Sequence, residues 1–315
     1  MAERENTVHW IEVKLQCDGE LAEALAEVLG RFVSYGVVME NVTRFNPQTQ
    51  ENEPTGVLNV FGYLPFDENL EDKRDNLDAA LGHLGLITPV PKPHYKPIQD
   101  QNWMKAWKQH YLPIPVGQKI LILPAWNTPD EGEKRIVIHI NPAMAFGTGT
   151  HPSTQLCLRL LERHIKKGEK IIDVGCGSGI LSIAALKLGA AHAVAVDTNS
   201  RAVRATLENA AINHLTTGAL ETGIGSVKEI LSGQFAVTDA PLVMVNILAK
   251  VIIHLFDHGL VNLVREGGML LLSGILKDQL DEVLHSARVS GFSLVEQLSD
   301  GDWVSLAMQK SNRRQ

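Results

Sequence analysis

The chain has 315 residues, 44% of them apolar and 21% charged, a make-up typical of globular proteins and long enough for two domains of ordinary size. Its formal charge of −7 argues against broad binding to duplex nucleic acid, which relies on a Lys/Arg surface, and is compatible with a basic protein as partner. No apolar run approaches the ~20 residues that span a bilayer, the first ten residues hold no signal-peptide core, and three cysteines without C-x-x-C spacing argue against a disulfide framework or a zinc site. A cytoplasmic chain with no membrane partner is expected.

Residues 8–15 alternate as a strand, with Ile11, Val13 and Leu15 on one face. Leu21, Leu25, Val28, Leu29 and Phe32 then mark one face of a helix, and Val37, Val38 and Val42 a second strand. A polar loop over 46–56 leads to a third strand at Val57–Tyr63, and Leu70, Leu77, Leu81 and Leu84 give a second helix. This β-α-β-β-α order is most of a ferredoxin-like α+β unit, which we assign to residues 1–88. Pro89, Pro91, Pro93 and Pro97 make residues 89–102 an extended, semi-rigid linker. Trp103 and Trp107, four apart, fit a helical pair packed in the core at the start of a second body, residues 103–315.

That body opens with β segments at Lys119–Leu123 and Arg135–Ile140. A regular alternation follows. Helix 153–166 precedes strand 170–174, helix 178–188, strand 192–197, helix 200–213 and a weak strand near 219–223. Strand Leu242–Val245, a helix around 249–264, strand 268–273 and helix 277–289 come next, and strands near 292–297 and 303–309 close the chain as a hairpin. The expected fold is α/β, a doubly wound, mostly parallel sheet of seven strands with one strand running antiparallel.

The most telling residues are Asp173-Val174-Gly175-Cys176-Gly177-Ser178-Gly179-Ile180-Leu181, then Asp197. Ile171 and Ile172 put Asp173 and Gly175 at the carboxyl end of a buried strand, and the apolar spacing from Ile180 onward starts a helix. Strand, glycine turn and helix form the first half of an open α/β ligand site. Asp197 ends the next strand, where a carboxylate can accept both hydroxyls of a ribose. A dinucleotide fold wants G-x-G-x-x-G; here the third glycine comes one residue early, at Gly179, and Asp173 would repel a pyrophosphate. The D-x-G-x-G-x-G spacing instead suits a cofactor that carries a sulfonium and an ammonium group, S-adenosylmethionine. Cys176 reads as a small filler, since no base is placed beside it.

Upstream, the loop Asn141–Thr154 is rich in glycine and threonine and can fold over a ligand, with Ser153 or Thr150 as helix cap and Pro152 in the first turn. His151 in this loop fits a capping or hinge role better than that of a general base. Asn246 ends the apolar strand Val243–Val245, at the edge where open α/β sheets bind ligands. His254 and His258 have metal-pair spacing but no third ligand, which favours a solvated helix face.

At these residues the chain resembles a known family. AFGTGTHPST, DVGCGSGILSIAALKLGA, Asp197, the N-I-L at Asn246 and the late GGMLLLSGIL are similar to the bacterial methyltransferases of the large-subunit ribosomal protein L-eleven (L11), over a stretch from about Trp103 to Trp303. The resemblance implies that Thr154, Gly175, Asp197 and Asn246 contact S-adenosylmethionine. It also implies N-methylation of lysine side chains and an N-terminal α-amine of that protein, up to the trimethyl state. The small N-terminal domain would grip the substrate while the linker presents several amines in turn. Ser153 departs from the Thr that relatives often carry, a change without consequence for the site. Methyl transfer needs a neutral amine in line with the sulfonium methyl, and Asn246 is the residue we expect to orient it. The alternatives are the same fold acting on another protein or a small molecule, a non-catalytic cofactor-binding protein, and a nicotinamide-dependent oxidoreductase.

Overall fold

We describe the protein from a computed structural model, over residues 8–33, 37–46, 51–86, 88–99, 112–141, 148–216 and 218–312. The chain divides into two compact units, the first reaching Leu112 and the second beginning at Pro113.

The first unit runs β1 (Val8–Cys17), α1 (Gly19–Gly30), β2 (Val38–Asn46), β3 (Glu51–Pro65), α2 (Leu70–Leu84) and β4 (His94–Gln99). Its sheet has the order β2-β3-β1-β4, with every neighbouring pair antiparallel. The alternation of β1 buries Ile11, Val13, Leu15 and Cys17 in one core with Leu25 and Leu29 of α1 and Leu77 and Leu81 of α2. Asp18 starts α1 by accepting the Leu21 N–H at 3.1 Å.

Two expectations are corrected here. Most of the supposed polar loop over 46–56 is strand, paired from Thr43↔Pro54 to Asn46↔Glu51, while residues 47–50 lie outside the described residues. The β1–β3 ladder stops at Leu58, so this outer half of β3 has one paired neighbour among the described residues, tolerates Pro54 and lacks an apolar alternation. Within the proline-rich linker expected over 89–102, residues 94–99 are likewise strand, while residues 100–102 lie outside the described residues. His94–Gln99 pairs antiparallel with β1, from Lys14↔His94 to Val8↔Gln99, and completes a β-α-β-β-α-β order. β4 is the outer strand of its sheet, where Pro97 can face Ile11 without breaking an interior ladder. Trp103 and Trp107 lie outside the described residues.

The second unit begins with a three-stranded sheet of β5 (Ile114–Val116), β6 (Ile120–Pro124) and β7 (Ile136–Ile140). The alternating part then runs α3 (Pro152–His164), β8 (Lys170–Val174), α4 (Ile180–Lys187), β9 (His192–Asp197), α5 (Ser200–Ile212) and β10 (Leu220–Ile224). It continues through α6 (Val227–Leu231), β11 (Ala240–Asn246), α7 (Ala249–Asp257), β12 (Val264–Leu276), α8 (Leu280–Val289), β13 (Phe292–Asp300) and β14 (Trp303–Lys310). These strands form a seven-stranded sheet of order β10-β9-β8-β11-β12-β14-β13, parallel except for β14, which is antiparallel to both its neighbours. The doubly wound, mostly parallel sheet read from the sequence is therefore present. The helix expected over 249–264 stops at Asp257 because Gly259 takes φ +92°, and β12 starts at Val264. Period-two alternation divides the buried strands between two cores. Ile172, Val174, Val194 and Val243 pack with α7 and α8, whereas Ile171, Ala193, Leu242 and Met244 pack with α3 and α4. No helix among the described residues is long and apolar enough to cross a membrane.

Candidate functional site

The strand order reverses between β8 and β11, so the carboxyl ends of these strands flank a crevice at the topological switch point. Four of the expected residues stand along this edge: Asp173 and Gly175 at the end of β8, Asp197 at the end of β9, and Asn246 at the end of β11.

The glycine turn is stitched to β9, because Gly175 and Cys176 both donate their N–H to the Val196 carbonyl, at 2.8 and 3.0 Å. Gly175 has φ +78°, and a Cβ built on it would stand 2.5 Å from Cγ2 of Ile247. Glycine is required there by conformation and by the close approach of the residue after Asn246. Gly179 (φ +79°) caps α4 and faces Thr206 in the same way.

Asp197 accepts the Gly177 N–H through Oδ2 at 3.0 Å and the Asn199 N–H through Oδ1 at 2.9 Å. Those two bonds fix the carboxylate and leave each oxygen a lone pair for a ligand. Asp173 is fully buried. The Ser182 hydroxyl donates to its Oδ2 at 2.7 Å, while Oδ1 has no partner among the described residues. Burial pushes its carboxyl up to about 7 against the opposing Ser182 bond, and the Asp197 charge adds to the rise. A buried carboxylate with one unmet oxygen is costly by itself and suits a cationic ligand group.

Asn246 donates Nδ2–H to Oγ1 of Thr154 at 3.4 Å, which joins β11 to the first turn of α3 and leaves the amide oxygen of Asn246 for another donor. Thr154 and Ser153 are buried there, and the Ser273 hydroxyl on β12 donates to the Ser153 carbonyl at 2.8 Å. Ser273 lies opposite Asn246 in the β11–β12 register and also bonds the Ser305 hydroxyl of β14. Gly274 (φ +80°) lets β12 pass the Ile247 carbonyl, which a Cβ would strike.

His151, and neither Ser153 nor Thr150, caps α3. Its Nδ1 accepts the Ser153 N–H at 3.2 Å, Pro152 fills the first helical position, and the ring packs edge-on against Trp303 at 4.5 Å. Burial pulls the imidazole down to about 4, so it stays neutral at pH 7 and is a poor general base. Residues 142–147 of the preceding loop lie outside the described residues. Cys176 is buried, its thiol pushed up by burial and hydrogen-bonded to Thr206 at 3.3 Å, which suits the filler role. His254 and His258 are exposed with rings 3.9 Å apart, and no cluster of three metal-ligating side chains occurs among the described residues.

A family model described as ribosomal protein L11 methyltransferase (PrmA) matches residues 9–311 of this chain. The chain belongs to the ribosomal protein L11 methyltransferase family. It is 34% identical to the ribosomal protein L11 methyltransferase of Herpetosiphon aurantiacus, over 96% of this chain and 99% of that one. With the protein of the same name from Synechococcus sp. it shares 39%, over 96% and 97% of the two chains. Among solved structures it is similar to the ribosomal protein L11 methylase of Lactobacillus delbrueckii subsp. bulgaricus, at 31% identity and a TM-score of 0.57, over 64% of this chain and all of that one.

In this L11 methyltransferase family member, sequence reasoning missed the polar stripe that braces the site from α5. Thr206 donates to the Gly177 carbonyl at 3.1 Å and Asn209 to the Ser178 carbonyl at 2.9 Å. Asn209 also accepts the Asn141 N–H at 2.9 Å, and Asn213 brackets His139 through both its N–H and its carbonyl. All three are buried. Their spacing on one helical face with Ala202 and Ala210 was the available signal.

Proposed function

We propose that this protein transfers methyl groups from S-adenosylmethionine to lysine side chains and the N-terminal amine of ribosomal protein L11. The observation that carries the reading is the conjunction, on one sheet edge of a member of this family, of a cation-hungry Asp173 and an Asn246 whose oxygen is left open. Asp197 would hold the ribose hydroxyls and the Gly175 turn would pass close along the cofactor. Asp173 would lower the energy of the cofactor's cationic end, and Thr154 would fix Asn246. When bound, S-adenosylmethionine supplies an electrophilic methyl on a sulfonium centre. A lysine amine has an ordinary pKa near ~10.4 and attacks only when neutral. Asn246 Oδ1 is suited to accept one N–H of that amine and turn its lone pair towards the methyl. His151 is occupied as a helix cap and its basicity is low, so the departing proton passes to solvent or to a group other than His151. The N-terminal unit, ferredoxin-like in its β-α-β-β-α-β order, is assigned the grip on the substrate.

Peptide mapping of L11 after incubation with the protein and S-adenosylmethionine tests this. Methyl groups on lysine nitrogens and on the terminal amine are the expected result; methylation confined to oxygen, sulfur or other side chains refutes it.

A further inference from the structure

Leu248 breaks two local rules at once. It is a large apolar side chain that stands 48% exposed, and it occupies the N-cap of α7, where Ser, Thr, Asn or Asp would satisfy a helical N–H that leucine leaves without a side-chain partner. Its neighbours supply the packing of this helix start. Ile247 and Ile252, at the two positions of a hydrophobic staple, both join the core around α7, and Ile247 also closes on Gly175. Neither the cap nor the core therefore calls for a leucine at 248. Val251 is exposed as well, at 42%, and follows Leu248 by three residues, so the two share a face of the first turn. Lys250, exposed between them in sequence, does not face Leu248.

The position of Leu248 is rigidly set. It comes two residues after Asn246, within ~7 Å along the chain. The backbone joining them is held between the glycine turn, where Gly175 stands against Cγ2 of Ile247, and β12, where Gly274 passes the Ile247 carbonyl. The Leu248 carbonyl accepts the N–H groups of Val251 and Ile252, at 2.9 and 3.1 Å. Ile224 is also exposed at this edge of the sheet, but it ends β10, on the far side of β8 and β9 from Asn246.

We propose that Leu248, with Val251, forms an apolar wall for the four-carbon stem of the acceptor lysine and so favours lysine side chains over the terminal amine of the same substrate. A lysine that brings its amine to Asn246 lays its stem across the adjoining surface, and covering Leu248 with that stem removes apolar area of both from water. An N-terminal α-amine sits directly on the backbone and brings no such stem. The inference rests on the function proposed above, in which Asn246 holds the acceptor amine.

Peptide-resolved methylation rates of L11 test it, with the full-length protein as wild type, Leu248→Ser and Leu248→Met. Serine removes the wall and supplies the missing cap, so Leu248→Ser should melt at or above the wild-type temperature and bind S-adenosylmethionine as wild type does. Its lysine methylation should fall about tenfold, through a higher KM for L11, and fall much further than methylation of the terminal amine. Leu248→Met, apolar and of similar volume, should restore most of the lysine rate. Lysine methylation within about twofold of wild type in a folded Leu248→Ser protein overturns the proposal, as does an equal loss at both kinds of amine. A Leu248→Ser protein that melts well below wild type would make the leucine a support of the fold and overturn it too. Wild type that modifies no lysine refutes the proposed function and this inference with it; wild type that modifies lysines while Leu248→Ser does so equally well refutes this inference alone.

Discussion

Asp173 is the residue where fold stability and ligand binding pull in opposite directions. Its carboxyl is raised from 3.8 to about 7, so between those values the folded protein keeps a proton that the unfolded chain has released. Stability therefore falls as pH rises through that window, and the full penalty is present above about pH 7. A cation at Oδ1 favours the ionised form, so cofactor affinity should rise with pH through about 7 and level off above it, with a proton released on binding below that point. Asp173→Asn should flatten the pH dependence of stability by up to a few kcal/mol and remove the proton release; calorimetry in buffers of different ionisation enthalpy reads both. Unchanged linkage would mean that the carboxylate faces no cation.

Asp197→Ala should weaken S-adenosylmethionine binding about ten- to a hundredfold, since a hydrogen bond to a charged acceptor contributes ~1.5–3 kcal/mol. Some of that loss will come from loosening the turn, because Asp197 also holds the Gly177 N–H. Unaltered affinity by calorimetry would remove Asp197 from the site. Gly175→Ala should lower both stability and cofactor affinity, because its Cβ meets Ile247 in a left-handed backbone. Trimming the neighbour in the double variant with Ile247→Ala should restore part of the stability in thermal melts; additive losses would place the strain elsewhere.

At the scale of elements, the central strand–turn–helix and the Asn246 strand end were legible because buried parallel strands read as apolar runs and the turn needs glycine at fixed positions. Other features were hidden for physical reasons. β4 carries Pro97 at the end of a proline run that signals a linker, yet an outer strand accepts it. Histidine is not among the favoured caps, so the His151 cap of α3 had no strong sequence signal. Thr206, Asn209 and Asn213 look like solvated residues until the glycine-turn and β7 carbonyls that they bond are placed. The Ser273 hydroxyl was equally silent, although it ties α3 to β12 beside Asn246. Ser273→Ala should cost about 1–3 kcal/mol in denaturant unfolding, because it removes the hydroxyl that bonds both the Ser153 carbonyl and the buried Ser305 hydroxyl. It should also reduce turnover more than cofactor affinity; full activity would show that Asn246 is held by Thr154 without help from this serine.

At the scale of the whole molecule, the boundary at Leu112 changes how a truncation should be made. A cut after residue 88 would strand β4 without β1, whereas a chain starting at Pro113 keeps every named cofactor residue in an intact unit. Residues 113–315 should bind S-adenosylmethionine with near wild-type affinity and fail to methylate L11. Full-rate methylation by that fragment would move substrate recognition into the catalytic unit.

The central claim is a selective transfer to one ribosomal protein through the Asn246 edge, and intact-mass analysis of a mixture of large-subunit ribosomal proteins tests it most directly. The mixture is incubated with S-adenosylmethionine and either wild type or Asn246→Ala. The account predicts that wild type adds several methyl groups to L11 alone and that Asn246→Ala adds few or none. Methylation spread over many proteins, or an Asn246→Ala enzyme that modifies L11 as fully as wild type, would contradict it.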